Sequence, residues 1–217
     1  MQIFIIPELH ESQRAWQRII TILEKVGYAV TLFEYPAPKD DDLEIQTNLA
    51  EQYLTQKTVV VGSGVGGRIA IQLLARKNHH IVQTILLSTP SLPHRGWRNR
   101  LVSLLALFTL PIRLFIPYKR KVQLTNLFLR FYYRTPEALQ YQNIISSDQE
   151  SLLLIIKSQI LLLWGTKKPK VHIKIARHMR ALLTHSDLIE VAGAREPLNV
   201  HAAVVVANYI DEHARNN

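Results

Sequence analysis

The sequence predicts an α/β fold: a mainly parallel six-stranded sheet with helices on both faces and a helical cap insertion. Two observations predict the sheet. Short runs dense in Val, Ile and Leu alternate with segments of helical period. The runs are nearly continuous instead of alternating with polar residues, as strands covered on both sides are. A third observation predicts the cap: 71 residues separate the strand ending at Ser88 from the one starting at Ile160. Connections in such sheets usually take about 2–6 residues.

Taken in order, the first strand is Gln2–Ile6, and a helix fits Ser12–Val26, closed by Gly27 as the residue after its last turn. The second strand spans Tyr28–Phe33. The loop through Pro36, Pro38 and three consecutive aspartates cannot extend it and leads into a helix over Leu43–Thr55. A strand at Thr58–Gly62 runs through a glycine turn into a helix at Gly66–Arg76, and a fourth strand covers Ile81–Ser88. Beyond the insert come a strand at Ile160–Trp164, a helix at Val171–Thr184, a strand at Asp187–Val191 and a helix at Leu198–Ala214. The chain thus reads as one domain over residues 1–217, with the cap inserted at 91–157.

Composition narrows the function. No cysteine is present, so disulfides and thiolate metal sites are excluded. The two histidine pairs, His79 with His80 and His172 with His178, lack the spacing that sets two ligands on one helical face, and no metal is expected. The N-terminus reads as a strand and not as a signal peptide, which gives a cytoplasmic expectation.

The net charge of +9 is confined to one region. No Asp or Glu occurs between Glu51 and Glu137, and Ser91 to Thr135 carries nine basic residues, from Arg95 to Arg134. Taking those nine from 26 leaves 17, equal to the 17 acidic residues. The basic residues are interleaved with Leu and Phe, while Pro111 and Pro117 argue against one long transmembrane helix. Three readings of this insert stand open: solvation of an apolar lid, attachment to an anionic membrane surface that would make the protein peripheral there, or contact with an acidic partner. Nucleic acid is not an expected partner.

The strongest local signal is the strand Thr58–Gly62 followed by Ser63, Gly64, Val65, Gly66 and Gly67. Gly62, Gly64 and Gly67 satisfy the G-x-G-x-x-G of dinucleotide-binding folds. That fingerprint belongs in the first βα unit with an acidic residue about 20 positions on, and here a βα unit precedes it and no acid follows. The same residues, Gly62-Ser63-Gly64-Val65-Gly66, resemble the G-x-S-x-G nucleophile elbow of the α/β hydrolases, with Gly64 in the nucleophile's place.

Four further segments resemble that superfamily in the same order. Ile3 to Leu9, followed by Trp16, is similar to the first strand and its His-Gly oxyanion loop, with Pro7 and Glu8 replacing His and Gly. Gly27 to Pro36 is similar to the next strand and its acidic-x-Pro turn. Leu161 to Pro169 resembles the strand and turn of the catalytic Asp, where Lys168 stands. Ile189 to Pro197 resembles the last strand and the loop of the catalytic His, where Glu196 stands. The likeness covers about residues 1–90 and 158–214 and implies an α/β-hydrolase fold whose triad positions, Gly64, Lys168 and Glu196, are degenerate.

Acyl transfer needs an attacking oxygen, a base and donors for the oxyanion. Gly64 offers no oxygen, and Glu8 brings negative charge to the oxyanion loop. The leading expectation is a non-catalytic protein, without cofactor, that binds a small apolar ligand around Glu8, Leu9, Ser63, Gly64 and Val65, or a partner. An ion pair between Lys168 and Glu196 is expected in place of the Asp–His pair. The alternative is an esterase or lipase-like hydrolase with Ser63 as displaced nucleophile and His10 or His201 as base. Dinucleotide binding at Gly62–Gly67 is a third reading. Ser63 lies one place before the elbow position and is expected to face neighbouring loops, and Ser88, without a nearby base in the sequence, reads as structural.

Overall fold

The computed structural model describes residues 1–9, 11–35, 42–90, 149–167 and 171–215. Six strands form one sheet: β1 (Gln2–Ile6), β2 (Ala29–Leu32), β3 (Thr58–Ser63), β4 (Ile81–Leu87), β5 (Ile160–Lys167) and β6 (Ser186–Arg195). Their order is β2-β1-β3-β4-β5-β6, and all five pairings are parallel. Parallel strands present their carboxyl ends at one edge, where Ile6 pairs with Gly62, Ser63 with Leu87 and Leu87 with Leu163. In open α/β sheets the ligand crevice lies outside that edge.

The helices are α1 (Gln17–Val26), α2 (Leu43–Glu51), α3 (Val65–Ala75), α4 (Glu150–Ile155), α5 (Ile173–Leu182), α6 (Leu198–His201) and α7 (Ala203–Arg215). Alternate strand residues sort them into two layers. Phe4, Ile6, Val60, Leu86, Leu162 and Trp164 face α2, α3, α4 and α5. Ile3, Ile5, Val59, Val61, Ile85 and Leu161 face α1, α6 and α7, with Trp16 fully buried on that side. Both faces are covered, so the inner strands can be apolar at every position, and β1 is buried throughout.

Several boundaries differ from the sequence reading. The first helix begins as a 3-10 turn at Gln13–Ala15, and α1 starts only after Trp16. The last helix is broken at Ala202, whose backbone (φ −134°) leaves the helical region. Strands β5 and β6 continue to Lys167 and Arg195 because their pairing runs on past Trp164, through a register shift between Gly165 and Lys167. Gly27 ends α1 in the left-handed region at φ +102°, the expected closure. Of the insert at 91–157 only its end is described, where α4 lies against α3 and α5. The basic stretch from Arg95 to Arg134 lies outside the described residues. Among the described residues no helix is long and apolar enough to cross a membrane.

Candidate functional site

The turn between β3 and α3 is where backbone geometry is least ordinary. Gly64 adopts φ +53° and ψ −119°, a combination that side chains other than glycine's resist. Close packing requires glycine just after it: a Cβ on Gly66 would lie 2.1 Å from the Ile6 carbonyl oxygen, and one on Gly67 would lie 1.9 Å from Thr89 Oγ1. The first turn of α3 is thereby pressed against the ends of β1 and β4. The first amides of a helix have no helical carbonyl four residues back to bond, and that end carries a partial positive charge.

Glu8, in the loop after β1, meets that turn. Its Oε1 accepts hydrogen bonds from its neighbour Leu9 N–H at 3.0 Å and from Val65 N–H at 3.1 Å. Val65 follows the elbow position and Leu9 lies in the loop beyond the first strand. The other oxygen, Oε2, stands 1.7 Å from where a Cβ on Gly64 would be. One carboxylate therefore takes up both amides and the space that a side chain at position 64 would fill. The pairing is favourable, since an anion at a helix N-terminus is stabilised by the helix dipole and by charge-assisted hydrogen bonds.

A second carboxylate fastens the loop that carries Glu8. Glu11 Oε2 accepts from the Trp16 indole N–H at 2.7 Å and from Glu8 N–H at 3.3 Å, while Oε1 accepts from Asn199 Nδ2 at 2.7 Å. Tyr35 donates its hydroxyl to the Pro7 carbonyl at 2.8 Å. Burial pushes that hydroxyl well above its ordinary pKa, and the negative charges of Glu8 and Glu11 push it the same way.

A third carboxylate, Glu196, is 5% exposed and lies just beyond β6. Its Oε1 accepts from Ser88 Oγ and its Oε2 from Val171 N–H at 3.3 Å. Ser88, at the end of β4, has φ +45°, an unusual value for a residue with a side chain. Glu196 thus ties together the ends of β4 and β6 and the approach to α5.

These loops enclose a cavity of about 240 Å³. Glu8, Glu11, Ser63, Gly64, Ser88 and Glu196 supply its polar and backbone border, and Leu9, Leu87, Val171, Pro197 and Leu198 its apolar one. The sequence-predicted residues Glu8, Leu9, Ser63, Gly64 and Glu196 are brought together here, and Val65 joins through its amide. Ser63, expected to face the neighbouring loops, is buried and borders the cavity. His201 is exposed at the end of α6 and does not border it. His10 and Lys168 lie outside the described residues, and with Lys168 the expected ion pair to Glu196. No imidazole is among the described residues around the cavity. Sequence reasoning missed Glu11, Tyr35 and the Ser88–Glu196 hydrogen bond, whose partners are 108 positions apart.

No family model matches the sequence, and no curated protein matches it. Solved structures do match the fold. A putative lipase from Acinetobacter baumannii superposes with a TM-score of 0.72 at 15% identity, covering 99% of this chain and 83% of its own. Bromoperoxidase from Bacillus anthracis gives 0.72 at 14% identity, covering 99% of this chain and 92% of its own. A monoacylglycerol lipase from Paleococcus ferrophilus gives 0.66 at 15%, covering 98% and 94%.

Proposed function

Starting from an α/β-hydrolase fold, which the chain has, we propose that this protein is a non-catalytic member of that architecture whose pocket binds a small ligand. A single observation carries the reading: the Glu8 carboxylate holds both amides that an oxyanion would need and fills the space above Gly64. Removing one oxyanion donor from a working site costs roughly 10²–10³ in rate. Here two are engaged, by a group whose negative charge opposes the developing one, and Gly64 has no oxygen to attack with.

The displaced-nucleophile alternative would use Ser63, which borders the cavity. It lacks an imidazole among the described residues there and would form its oxyanion against Glu8. Dinucleotide binding would seat a pyrophosphate on the first turn of α3, the place that Glu8 already occupies with negative charge. Both readings predict that Glu8 must leave.

The test is hydrolysis of short-chain p-nitrophenyl esters, combined with a fluorophosphonate probe and intact-mass analysis. The reading expects no turnover above a boiled control and no added mass. Turnover abolished by Ser63→Ala, or probe mass mapped to Ser63 or Ser88, would overturn it.

A second reading concerns the insert and rests on the confinement of the charge excess to nine basic residues between Ser91 and Thr135. Interleaved with Leu and Phe, they suit a peripheral attachment to anionic lipid, at about 1 kcal/mol for each basic residue near the surface. Co-sedimentation with vesicles tests it. Binding that requires anionic lipid and weakens with salt is expected, and binding indifferent to both would exclude an electrostatic attachment.

A further inference from the structure

We infer that Arg68 is a positioning residue of the cavity: it fixes both roots of the insert to α3 and, through Pro90, keeps the Ser88 hydroxyl on Glu196. Arg68 holds this role whether or not the cavity does chemistry.

Arg68 is fully buried in α3, whose other buried side chains are all apolar. Burying a guanidinium is costly, and apolar residues of similar volume often replace buried charges without loss. A polar purpose for it is visible in its contacts. Nη1 donates to the carbonyl oxygen of Pro90, where the chain leaves β4 for the insert. The backbone carbonyl of the same Arg68 accepts from Gln149 Nε2 at 2.9 Å, where the chain returns ahead of α4. Gln149 is itself 1% exposed. Exit and return are therefore fastened at one residue, the exit by its side chain and the return by its backbone. Arginine suits the task, because its fork of donors stays charged at any pH the fold survives.

The exit root is also a border of the cavity, since Pro90 follows Ser88 by two residues and Ser88 lines it. Thr89, between them, is fully buried and pressed on α3 beside Arg68: a Cβ on Gly67 would lie 2.6 Å from its Cγ2. Ser88 keeps φ +45°, and a residue with a side chain persists in that region only where its surroundings hold it there. On the sheet side the hold is a hydrogen bond from Ser88 N–H to the Leu163 carbonyl at 3.1 Å. On the insert side it is Thr89 against Gly67 and Pro90 on Arg68. Between the two, the Ser88 hydroxyl meets Glu196. The insert and the cavity thus share one fixing point, four residues along α3 from Gly64.

The test uses the full chain and compares wild type with Arg68→Met, which fills the space without a donor, and Arg68→Lys, which keeps one donor in place of the fork. Hydrogen exchange is followed at the Ser88 amide and, as controls, at the inner-strand amides of Ile5 and Leu161, which report opening of the whole molecule. In Arg68→Met, exchange at Ser88 should quicken at least about tenfold beyond any change at Ile5 and Leu161. Arg68→Lys should fall between that variant and the wild type, and it carries the comparison if Arg68→Met does not fold. The Glu196 side-chain carboxyl carbon gives a second readout. Its resonance should move in Arg68→Met in the direction in which Ser88→Ala moves it, while the Glu8 carboxyl carbon stays in place. Equal quickening at all three amides would make Arg68 a general support of the fold and overturn the inference. So would a Ser88 amide and a Glu196 resonance that neither variant moves.

Discussion

Two residues 56 positions apart in sequence, Glu8 and Gly64, answer each other in space. A serine at 64 would be strained at φ +53° and would thrust its Cβ to 1.7 Å from Glu8 Oε2, so Gly64→Ser expels Glu8 from its two amides. The expected loss of stability is roughly 1–3 kcal/mol from the backbone alone, with more from the displaced carboxylate. Urea unfolding of Gly64→Ser, Glu8→Gly and the double variant should show strong non-additivity, with the double variant more stable than the two single losses predict. Additive losses would mean that the two residues do not compete for the same space.

Tyr35 gives a second prediction at this scale. Its hydroxyl has a folded-state pKa raised well above the ordinary value of 10.0. The unfolded chain ionises first as the pH rises, so the stability linked to this group is complete below about pH 10 and is lost as the pH climbs from there through the folded-state value. Tyr35→Phe should flatten that part of the alkaline stability profile. An identical slope in both proteins would show that Tyr35 does not carry it.

At the scale of elements, the Ser88–Glu196 hydrogen bond joins β4 to the loop after β6, and the Val171 amide adds the approach to α5. Ser88→Ala leaves an acceptor short and keeps the left-handed backbone, while Ser88→Gly loses the same bond and relieves φ +45°. A hydrogen bond to a charged group contributes about 1.5–3 kcal/mol, so thermal melts should rank wild type above Ser88→Gly and Ser88→Gly above Ser88→Ala. If Ser88→Ala matches the wild type, the bond is not a stabilising tie.

Most elements are legible in the sequence because burial on both faces leaves continuous apolar runs, as in Ile3–Ile6 and Val59–Val61. The ends of β5 and β6 are not legible, because residues such as Ala192, Gly193 and Arg195 are exposed and the strand continues there through the Lys167–Arg195 pairing and a hydrogen bond from Gly193 N–H to Thr166 Oγ1. The break at Ala202 is hidden for a related reason: the residues on either side keep helical period, and only the backbone departs. At the site, Glu8, Gly64 and Glu196 draw notice in the sequence as departures from the pattern it resembles. What they bond to is not, since Val65 is 57 positions from Glu8 and Ser88 is 108 from Glu196.

For the molecule as a whole, six parallel strands form the scaffold and the loops at their carboxyl edge form the cavity. Two core layers, one on each face of the sheet, hold the scaffold together. Leu162, fully buried in the middle of β5, reports on that scaffold. Leu162→Ala should cost roughly 2–5 kcal/mol in urea unfolding, and a loss under 1 kcal/mol would mean that the β5 layer is not packed as described. Such a scaffold can tolerate charge at its crevice because the carboxylates there are received by amides, an indole, a carboxamide and a hydroxyl of the protein itself.

The claim on which the account turns is that the Glu8 carboxylate rests on the amides of Leu9 and Val65, and nuclear magnetic resonance reads this directly. Following the Glu8 side-chain carboxyl carbon and the two amide protons through an acid titration, the account predicts that all three move together with one midpoint. A Glu8 carboxyl that titrates while both amide signals stay still would contradict it.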